Sequence, residues 1–483
     1  MNRLYNARNI SMMMDFYELT MAYGYFKNKD RDTKVAFDVF YRKNPDKGGF
    51  AIFAGLEQIV EYIEGIRFEE DDIAYLRSCG TFDEEFLAYL KDFKFSGDIY
   101  AFPEGTVMYP NEPVITVVAP LIDAQLIETG ILNIFNHQCL IATKANRIVR
   151  AAKGRPIADF GGRRAQGIDA ATYGARAAMI GGVKGTATVS AAQMLGLKAI
   201  GTMAHSWIMR FESEEVAFRK YAEIYPDNCT LLVDTYDVLK SGVPNAIKIF
   251  REMKEKNIPL TSYGIRLDSG DLAYLSKEAR KMLDESGFTD AKIVVSNSLD
   301  EHTISSLLQQ GACIDSFGVG ERLITAKSDP VFGGVYKIAA VVENGEIVPK
   351  IKISETVEKI TNPGLKEVYR IYDENGLAVA DLLTCKDEVV DLREEYRYVD
   401  PEMPWKNRHF KDCKAVKLQV PVFKNGKFVG QKKGVQELQK YVETQLLDEI
   451  WKEEQRFDNP HKHYLDMSPK YYEMKMDLLH QNQ

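Results

Sequence analysis

Apolar positions along this chain change their spacing twice. Between Ser11 and Asn28, Phe16, Leu19, Tyr23 and Phe26 recur every three or four residues, which predicts a helix with one apolar stripe. Tyr17 falls about a quarter turn off that stripe. Lys34–Tyr41 reads as an alternating strand, Phe50–Ile63 as a helix, and Asp98–Tyr109 and Pro113–Val118 as strands. Residues 1–119 are therefore expected to form a mixed α+β domain.

Between 120 and 340 the texture is different. Short apolar runs at Pro156–Phe160, Lys198–Met203, Thr230–Asp234, Tyr263–Leu267, Lys292–Ser296 and Asp315–Gly318 alternate with stretches that can each hold a helix. Repeated βα units imply a parallel sheet, closed as a barrel or open and doubly wound. The runs end in Asp159, Thr202, Asp234, Asp268, Asn297 and Gly320. The C-terminal strand ends of such folds carry the site. From 341 to 483 strand-like alternation returns. Tyr336–Val342 and Glu346–Ile353 flank a hairpin turn at Glu343-Asn344-Gly345. The stretch after Gly434 reads as charged amphipathic helix with a solvated face.

Composition narrows the function classes. The 483 residues are 27% charged and 45% hydrophobic, ordinary for a globular protein. With 62 basic and 70 acidic side chains the net charge is −8, and no basic run supports a nucleic-acid partner. The six cysteines are scattered without a C-x-x-C pair and read as isolated thiols in a reducing compartment. The first residues lack the apolar core of a signal peptide, and no apolar run is long enough to span a membrane. A cytoplasmic protein is expected.

Several segments can carry chemistry. Asp159-Phe160-Gly161-Gly162-Arg163-Arg164-Ala165-Gln166-Gly167 follows a predicted strand; its glycines permit a tight turn and its arginines offer planar forks to phosphate or carboxylate. The bland alternative is a turn with surface arginines. Gly181–Thr188 places one lysine among small residues, as an anion loop or a tight connection would. His205, in Gly201-Thr202-Met203-Ala204-His205-Ser206, is the best single candidate for nucleophile or base. His461-Lys462-His463 is close-spaced, but nothing nearby completes a metal site. Asp234 and Asp268 stand at strand ends about one βα unit apart. Such carboxylates serve ribose hydroxyls, a Mg²⁺ shell or a developing cationic carbon. Asp271 fits the cap of the helix beginning near Leu272, which frees Asp268 for chemistry. Phe317-Gly318-Val319-Gly320-Glu321 lacks the third glycine of a dinucleotide-binding turn. These residues describe a barrel enzyme acting on phosphorylated, sugar-like anions.

As a set, the motifs resemble the nicotinate phosphoribosyltransferase family. Asp15-Phe16-Tyr17-Glu18-Leu19-Thr20-Met21-Ala22-Tyr23, Asp159–Gly167, Gly201–Ser206, Arg266-Leu267-Asp268-Ser269-Gly270-Asp271-Leu272 and Gly333-Gly334-Val335-Tyr336-Lys337 carry the likeness in order and spacing over roughly residues 10–370. The resemblance implies an irregular α/β barrel of the nicotinate/quinolinate phosphoribosyltransferase type, with an α+β domain built from both chain termini and residues 341–483 completing it. It implies condensation of nicotinate with 5-phosphoribosyl 1-pyrophosphate to nicotinate mononucleotide and pyrophosphate, toward NAD. It further implies ATP as cosubstrate through a phosphohistidine, Mg²⁺, and a homodimer with shared active sites.

By motif, the resemblance makes His205 the phosphohistidine and puts Thr202 near nicotinate with Arg266 on its carboxylate. Arg163 would grip phosphates or the carboxylate. Phe160 would stack on one pyridine face and Tyr17 of the other subunit on the opposite face. Asp268 would hold ribose or magnesium-bound pyrophosphate, and the Gly318 and Gly320 amides a phosphate. No residue set is assigned as a metal site. Related nicotinamide enzymes carry Asp where this chain has Ala187, so Ala187 with Arg266 favours the acid over the amide. Some relatives place Thr after the G-x-G turn; Glu321 stands here and is not assigned as a ligand.

The rivals are weaker. Thr230–Gly242 echoes the loop of the other phosphoribosyltransferase class, but Asp234 and Asp237 are not adjacent. Quinolinate phosphoribosyltransferase is a much shorter chain without the phosphohistidine. A catalytically dead scaffold should have lost one of His205, Arg163, Arg266 or Asp268, and all four are present.

Overall fold

The computed structural model describes residues 8–406 and 408–481. The chain divides into two compact units: Lys144–Pro330, and the residues up to Thr143 together with those from Val331 onward. The parallel unit is thus narrower than the 120–340 span expected from texture. At the front, Ile115–Pro120 is a strand of the terminal unit's sheet and the helix Glu128–Ala151 begins there. At the back, Gly334–Glu343 pairs with Lys34–Tyr41 in that same sheet.

The terminal unit holds a seven-stranded sheet in the order Glu346–Pro349, Gly334–Glu343, Lys34–Tyr41, Ile115–Pro120, Asp98–Ala101, Val420–Lys424, Lys427–Phe428. Lys34–Tyr41 lies inside it, paired antiparallel on both sides, and every residue but Lys34 is buried. Asp38 is tolerated there because Lys366 Nζ and Thr116 Oγ1 both donate to it. The predicted hairpin forms, with Asn344 and Gly345 at φ 54° and 84°. Four further strands, Lys414–Lys417, Lys366–Tyr372, Ala378–Cys385 and Leu465–Met467, make a second sheet.

Both chain ends build this unit's interior. The Arg370 guanidinium forks onto Asp381 at 2.9 and 2.8 Å. His463 stacks on Tyr109 at 3.7 Å between ring centroids and its Nδ1 lies 3.1 Å from Glu454. Breaking such a buried network by removing one partner costs about 3–5 kcal/mol. The stretch after Gly434 is therefore not simply a solvated helix. It contains the helix Val435–Thr444, the strand Leu465–Met467 and the helix Pro469–Gln481, with Leu438, Val442 and Tyr471 buried. Its hydrophobic positions are interspersed with charge and are collected only by tertiary packing.

The first helix is shorter than its pattern, running Phe16–Lys27, because Asp15 and Glu18 form a capping box that fixes its start. The region 50–63 splits into strand Ala51–Ile52 and helix Leu56–Gly65, with Gly55 at φ 101° turning between them. Asp98–Tyr109 is likewise broken, into Asp98–Ala101 and Val107–Met108. Among the described residues no helix is long and apolar enough to cross a membrane, and all six cysteines are free.

The unit Lys144–Pro330 is built on six parallel strands. Their order is Gly185–Thr186, Ile157–Asp159, Ser316–Val319, Lys292–Ser296, Tyr263–Leu267, Cys229–Leu232. All five pairings are parallel. Five of the six predicted runs are strands here; Lys198–Met203 is not. It runs as irregular chain along the outer edge of Gly185–Thr186, tied by Ile200 N donating to Thr186 O at 3.0 Å. The sheet is an incomplete barrel whose gap lies at this irregular segment.

Candidate active site

The parallel register sends the C-terminal ends of the strands to one edge, and most of the candidate residues collect there. Arg266 is the fourth residue of Tyr263–Leu267, opposite Val294. Its side chain is largely buried. Nη1 donates to Thr202 Oγ1 at 2.6 Å and to Met203 O at 3.1 Å. Nη2 stands 3.8 Å from Asp268 Oδ2, and the guanidinium carbon lies 6.0 Å from the Phe160 ring centre. Nε is buried without a hydrogen-bond partner. Burial lowers the arginine's pKa, while the nearby Asp268 and Asp234 oppose that shift. The irregular path of Lys198–Met203 delivers Thr202 to this guanidinium.

Phe160 follows Ile157–Asp159. Its amide donates to Val319 O at 2.8 Å, and its ring lies over Gly318, where a Cβ would stand 2.3 Å from the ring. Asp159 locks this corner from beneath: Oδ1 accepts from Gly161 N at 2.8 Å and Oδ2 from Thr186 Oγ1 at 2.7 Å. Burial raises the Asp159 pKa. Arg163 sits exposed in the turn Gly162–Arg164 that follows. Its charge is still felt by Arg266. Ala187 lies exposed just past Gly185–Thr186, its amide donating to Asp159 O at 2.9 Å.

His205 opens the short helix His205–Met209. Its Nδ1 is 3.0 Å from Thr235 Oγ1. Its Nε2 lies 4.0 Å from Asp234 Oδ1 and 3.9 Å from Asp268 Oδ2. Asp234 is clamped through Oδ2, which accepts from Asp268 N at 3.0 Å and Ser269 Oγ at 2.6 Å. Its Oδ1 is buried without a hydrogen-bond partner. Asp268 Oδ1 accepts from Ser296 Oγ. Asp271, not Asp268, caps the helix Leu272–Glu285 by accepting from Tyr274 N at 3.0 Å. Asp237 is taken by the turn Val238–Gly242, accepting from Leu239 N and Lys240 N.

The glycine segments and Tyr17 have the following surroundings. Gly182–Lys184 connects Ile168–Ile180 to the start of Gly185–Thr186, so it lies at the opposite end of the strands from His205. That is a tight connection, with Gly182 at φ 115°. Gly318 faces the Phe160 ring, so its lack of a side chain makes room for that ring. Gly320 approaches Phe160 O, 3.2 Å from where its Cβ would be. Tyr17 belongs to the terminal unit. It is 43% exposed, and its hydroxyl faces Glu128, which together with burial raises the phenol's pKa. Glu321 pairs with Lys327 at 2.6 Å. Thr235 and Ser296 had no assigned role, although Ser296 closes a predicted strand and Thr235 follows Asp234. Beyond Ser296, Asn297 and Ser298 take φ of 97° and 49°. Left-handed backbone of this kind costs about 1–3 kcal/mol per residue and clusters at functional sites.

Family models match along most of the chain. Residues 12–136 match the nicotinate phosphoribosyltransferase N-terminal domain, 156–399 the nicotinate phosphoribosyltransferase family and 365–475 the C-terminal domain. The chain belongs to the nicotinate phosphoribosyltransferase family. It is 42% identical over 474 residues to the nicotinate phosphoribosyltransferase of Bacillus subtilis, covering 98% of this chain and 96% of that one. It is 33% identical to the Caenorhabditis elegans member, over 98% and 93% of the two chains. The crystal structure of human nicotinic acid phosphoribosyltransferase superposes with a TM-score of 0.85 at 25% identity, covering 96% of this chain and 99% of the other. That of nicotinate-nucleotide pyrophosphorylase from Pyrococcus furiosus gives 0.69 at 25% identity, over 93% and 99%. The incomplete α/β barrel with a domain from both termini is thus the fold of this family.

Proposed function

We propose that this protein condenses nicotinate with 5-phosphoribosyl 1-pyrophosphate, giving nicotinate mononucleotide and pyrophosphate in salvage toward NAD. The observation that carries the reading is Arg266. A buried guanidinium tied by one nitrogen to Thr202 and Met203 keeps a donor edge unpaired beside an aromatic ring. That is the chemistry a flat aromatic carboxylate needs: a charge-assisted fork for the acid and a π-face for the ring. Phe160 offers that face, and Tyr17 of a second subunit is proposed to cover the other. Arg163 adds positive charge for phosphate or the carboxylate.

The nucleophile is the neutral pyridine nitrogen, which needs no general base. As pyrophosphate leaves the ribose, positive charge builds at the anomeric carbon. Asp268, fixed by Ser296 and half-buried, is placed to oppose that charge. The remaining contribution is positioning of two bound reactants.

ATP enters through His205, whose ring is proposed to take the γ-phosphoryl group. Magnesium belongs to the same reading. Among the described residues no group of three His, Cys, Asp or Glu could hold a metal ion. Mg²⁺ dehydrates reluctantly and is commonly held through substrate phosphates with few protein ligands, and that is the mode proposed here. When bound it neutralises pyrophosphate charge. The expected assembly is a cytoplasmic homodimer with shared sites.

One assay tests the reading. The protein is mixed with Mg²⁺, 5-phosphoribosyl 1-pyrophosphate and either nicotinate or nicotinamide, with and without ATP, beside His205→Ala. Product from nicotinate, raised by ATP in the wild type and not in the variant, is expected. Product from nicotinamide alone would overturn the role of Arg266 and Ala187, and none from either base would overturn the activity.

A further inference from the structure

His205 is held through Nδ1, the nitrogen turned away from the carboxylates. Thr235 Oγ1 lies 3.0 Å from Nδ1. On the other side, Asp234 Oδ1 and Asp268 Oδ2 stand 4.0 and 3.9 Å from Nε2. Neither carboxylate is within hydrogen-bond distance of the ring. Asp234 meets Asp268 N and Ser269 through Oδ2 and Asp268 meets Ser296 through Oδ1, so the oxygens nearest the ring are the ones those bonds leave free. Thr235 itself is anchored between the strand Cys229–Leu232 and the turn capped by Asp237.

A neutral imidazole carries one ring proton, and its lone pair sits on the other nitrogen. Two negative groups on the Nε2 side draw that proton to Nε2. Nucleophilic attack from Nε2 needs the reverse arrangement. Nδ1 is covered by the threonine, so Nε2 is the nitrogen left open.

We infer that Thr235 is the positioning residue that admits the Nδ1–H tautomer of His205 and so makes Nε2 the phosphoryl acceptor. The inference rests on the phosphohistidine reading above. A hydroxyl can rotate: it donates to Nδ1 in one tautomer and accepts from Nδ1–H in the other, so moving the proton forfeits no hydrogen bond. In the reaction the Nε2 lone pair attacks the γ-phosphorus of ATP and the N–P bond forms. The P–O bond to the β-phosphate breaks and its electron pair leaves with ADP. The proton remains on Nδ1, the ring becomes cationic, and Thr235 Oγ1 accepts a charge-assisted bond. A methyl at this place would leave Nδ1 unpaired in both tautomers, with the larger penalty in the cationic ring that forms on phosphoryl transfer.

The test follows phosphoryl transfer from [γ-³²P]ATP to protein in wild type, Thr235→Ser, Thr235→Val and His205→Ala, with thermal melting to confirm folding. Thr235→Ala repeats the measurement if valine is not accommodated. Histidine ¹⁵N chemical shifts, assigned with His205→Ala, report the tautomer. Losing a hydrogen bond to a charged ring predicts labelling on the order of 10- to 100-fold slower at saturating ATP in Thr235→Val, with little change in KM for ATP. Thr235→Ser should stay within about threefold, because it keeps the hydroxyl. The cationic Nδ1–H of the phosphorylated ring should show a hydrogen-bonded ¹⁵N–H signal in wild type and Thr235→Ser and lose that bond in Thr235→Val. Equal labelling rates in all folded Thr235 variants would overturn the role of Thr235 and leave the phosphohistidine standing. A wild type that takes no label at His205 would remove both readings together.

Discussion

An ideal Cβ built on Gly318 falls 2.3 Å from the Phe160 ring, a separation no real side chain keeps. Gly318 is paired with Ala158 of the adjacent parallel strand Ile157–Asp159, and Phe160 directly follows that strand. The aromatic platform is therefore set by the neighbouring strand's missing side chain. Gly318→Ala should tilt the ring away from the base. An aromatic stack contributes about 0.5–1.5 kcal/mol. A rise of roughly 3- to 10-fold in KM for nicotinate is expected, with KM for 5-phosphoribosyl 1-pyrophosphate little changed. Steady-state kinetics on both substrates check it; an equal rise in both constants would assign Gly318 to the phosphate instead.

Arg266→Lys tests whether the fork or merely the charge matters. Lysine offers a point charge that cannot bond Thr202 and Met203 while presenting a second edge to a carboxylate. Charge-assisted hydrogen bonds contribute about 1.5–3 kcal/mol, so kcat/KM for nicotinate should fall on the order of 10- to 100-fold. A loss of under threefold would mean that position 266 supplies only charge.

Most of the parallel sheet was legible in the sequence because five of its six strands lie in short apolar runs followed by small or polar residues. Tyr263–Leu267 and Lys292–Ser296 match their patterns end to end. Gly185–Thr186 was missed because two residues carry no periodicity. Lys198–Met203 looked like a strand, yet its backbone is bent to bring Thr202 and His205 inward. Asp234, Asp268, Arg266 and His205 stood out by chemical type. Thr235 and Ser296 did not, since a hydroxyl gains meaning only from the group it touches. That Gly318 also makes room for the Phe160 ring could not be read locally, because the ring comes from a distant segment.

Ala187 provides the specificity test. Its side chain is exposed just past a strand end, and its amide is already bonded to Asp159 O. A substitution there changes charge without breaking the corner. Ala187→Asp should repel a carboxylate base and offer an acceptor to an amide. A charge introduced about 4 Å from a carboxylate near a protein surface costs about 1–4 kcal/mol. The preference for nicotinate over nicotinamide should therefore drop by at least about 5-fold, measured as the ratio of kcat/KM values. An unchanged ratio would remove position 187 from base selection.

The terminal unit carries a pH test of its own. Glu18 is fully buried. One oxygen accepts from Asp15 N, Thr129 N and Thr129 Oγ1, and the other has no partner. Burial pushes its carboxyl up to about 7, helped by the nearby Glu128 charge and opposed by those hydrogen bonds. A folded-state pKa above the unfolded value means that the native state binds more protons between about 4.5 and 7. The contribution is then fully present below that window and is lost as pH rises through it. A shift of this size corresponds to about 3–4 kcal/mol. Glu18→Gln keeps the accepting oxygen and cannot ionise. Its melting temperature relative to wild type should rise between pH 5 and pH 8, by about 2 °C if half of that free energy is recovered. Parallel curves for the two proteins across that range would show that Glu18 stays ionised in the fold.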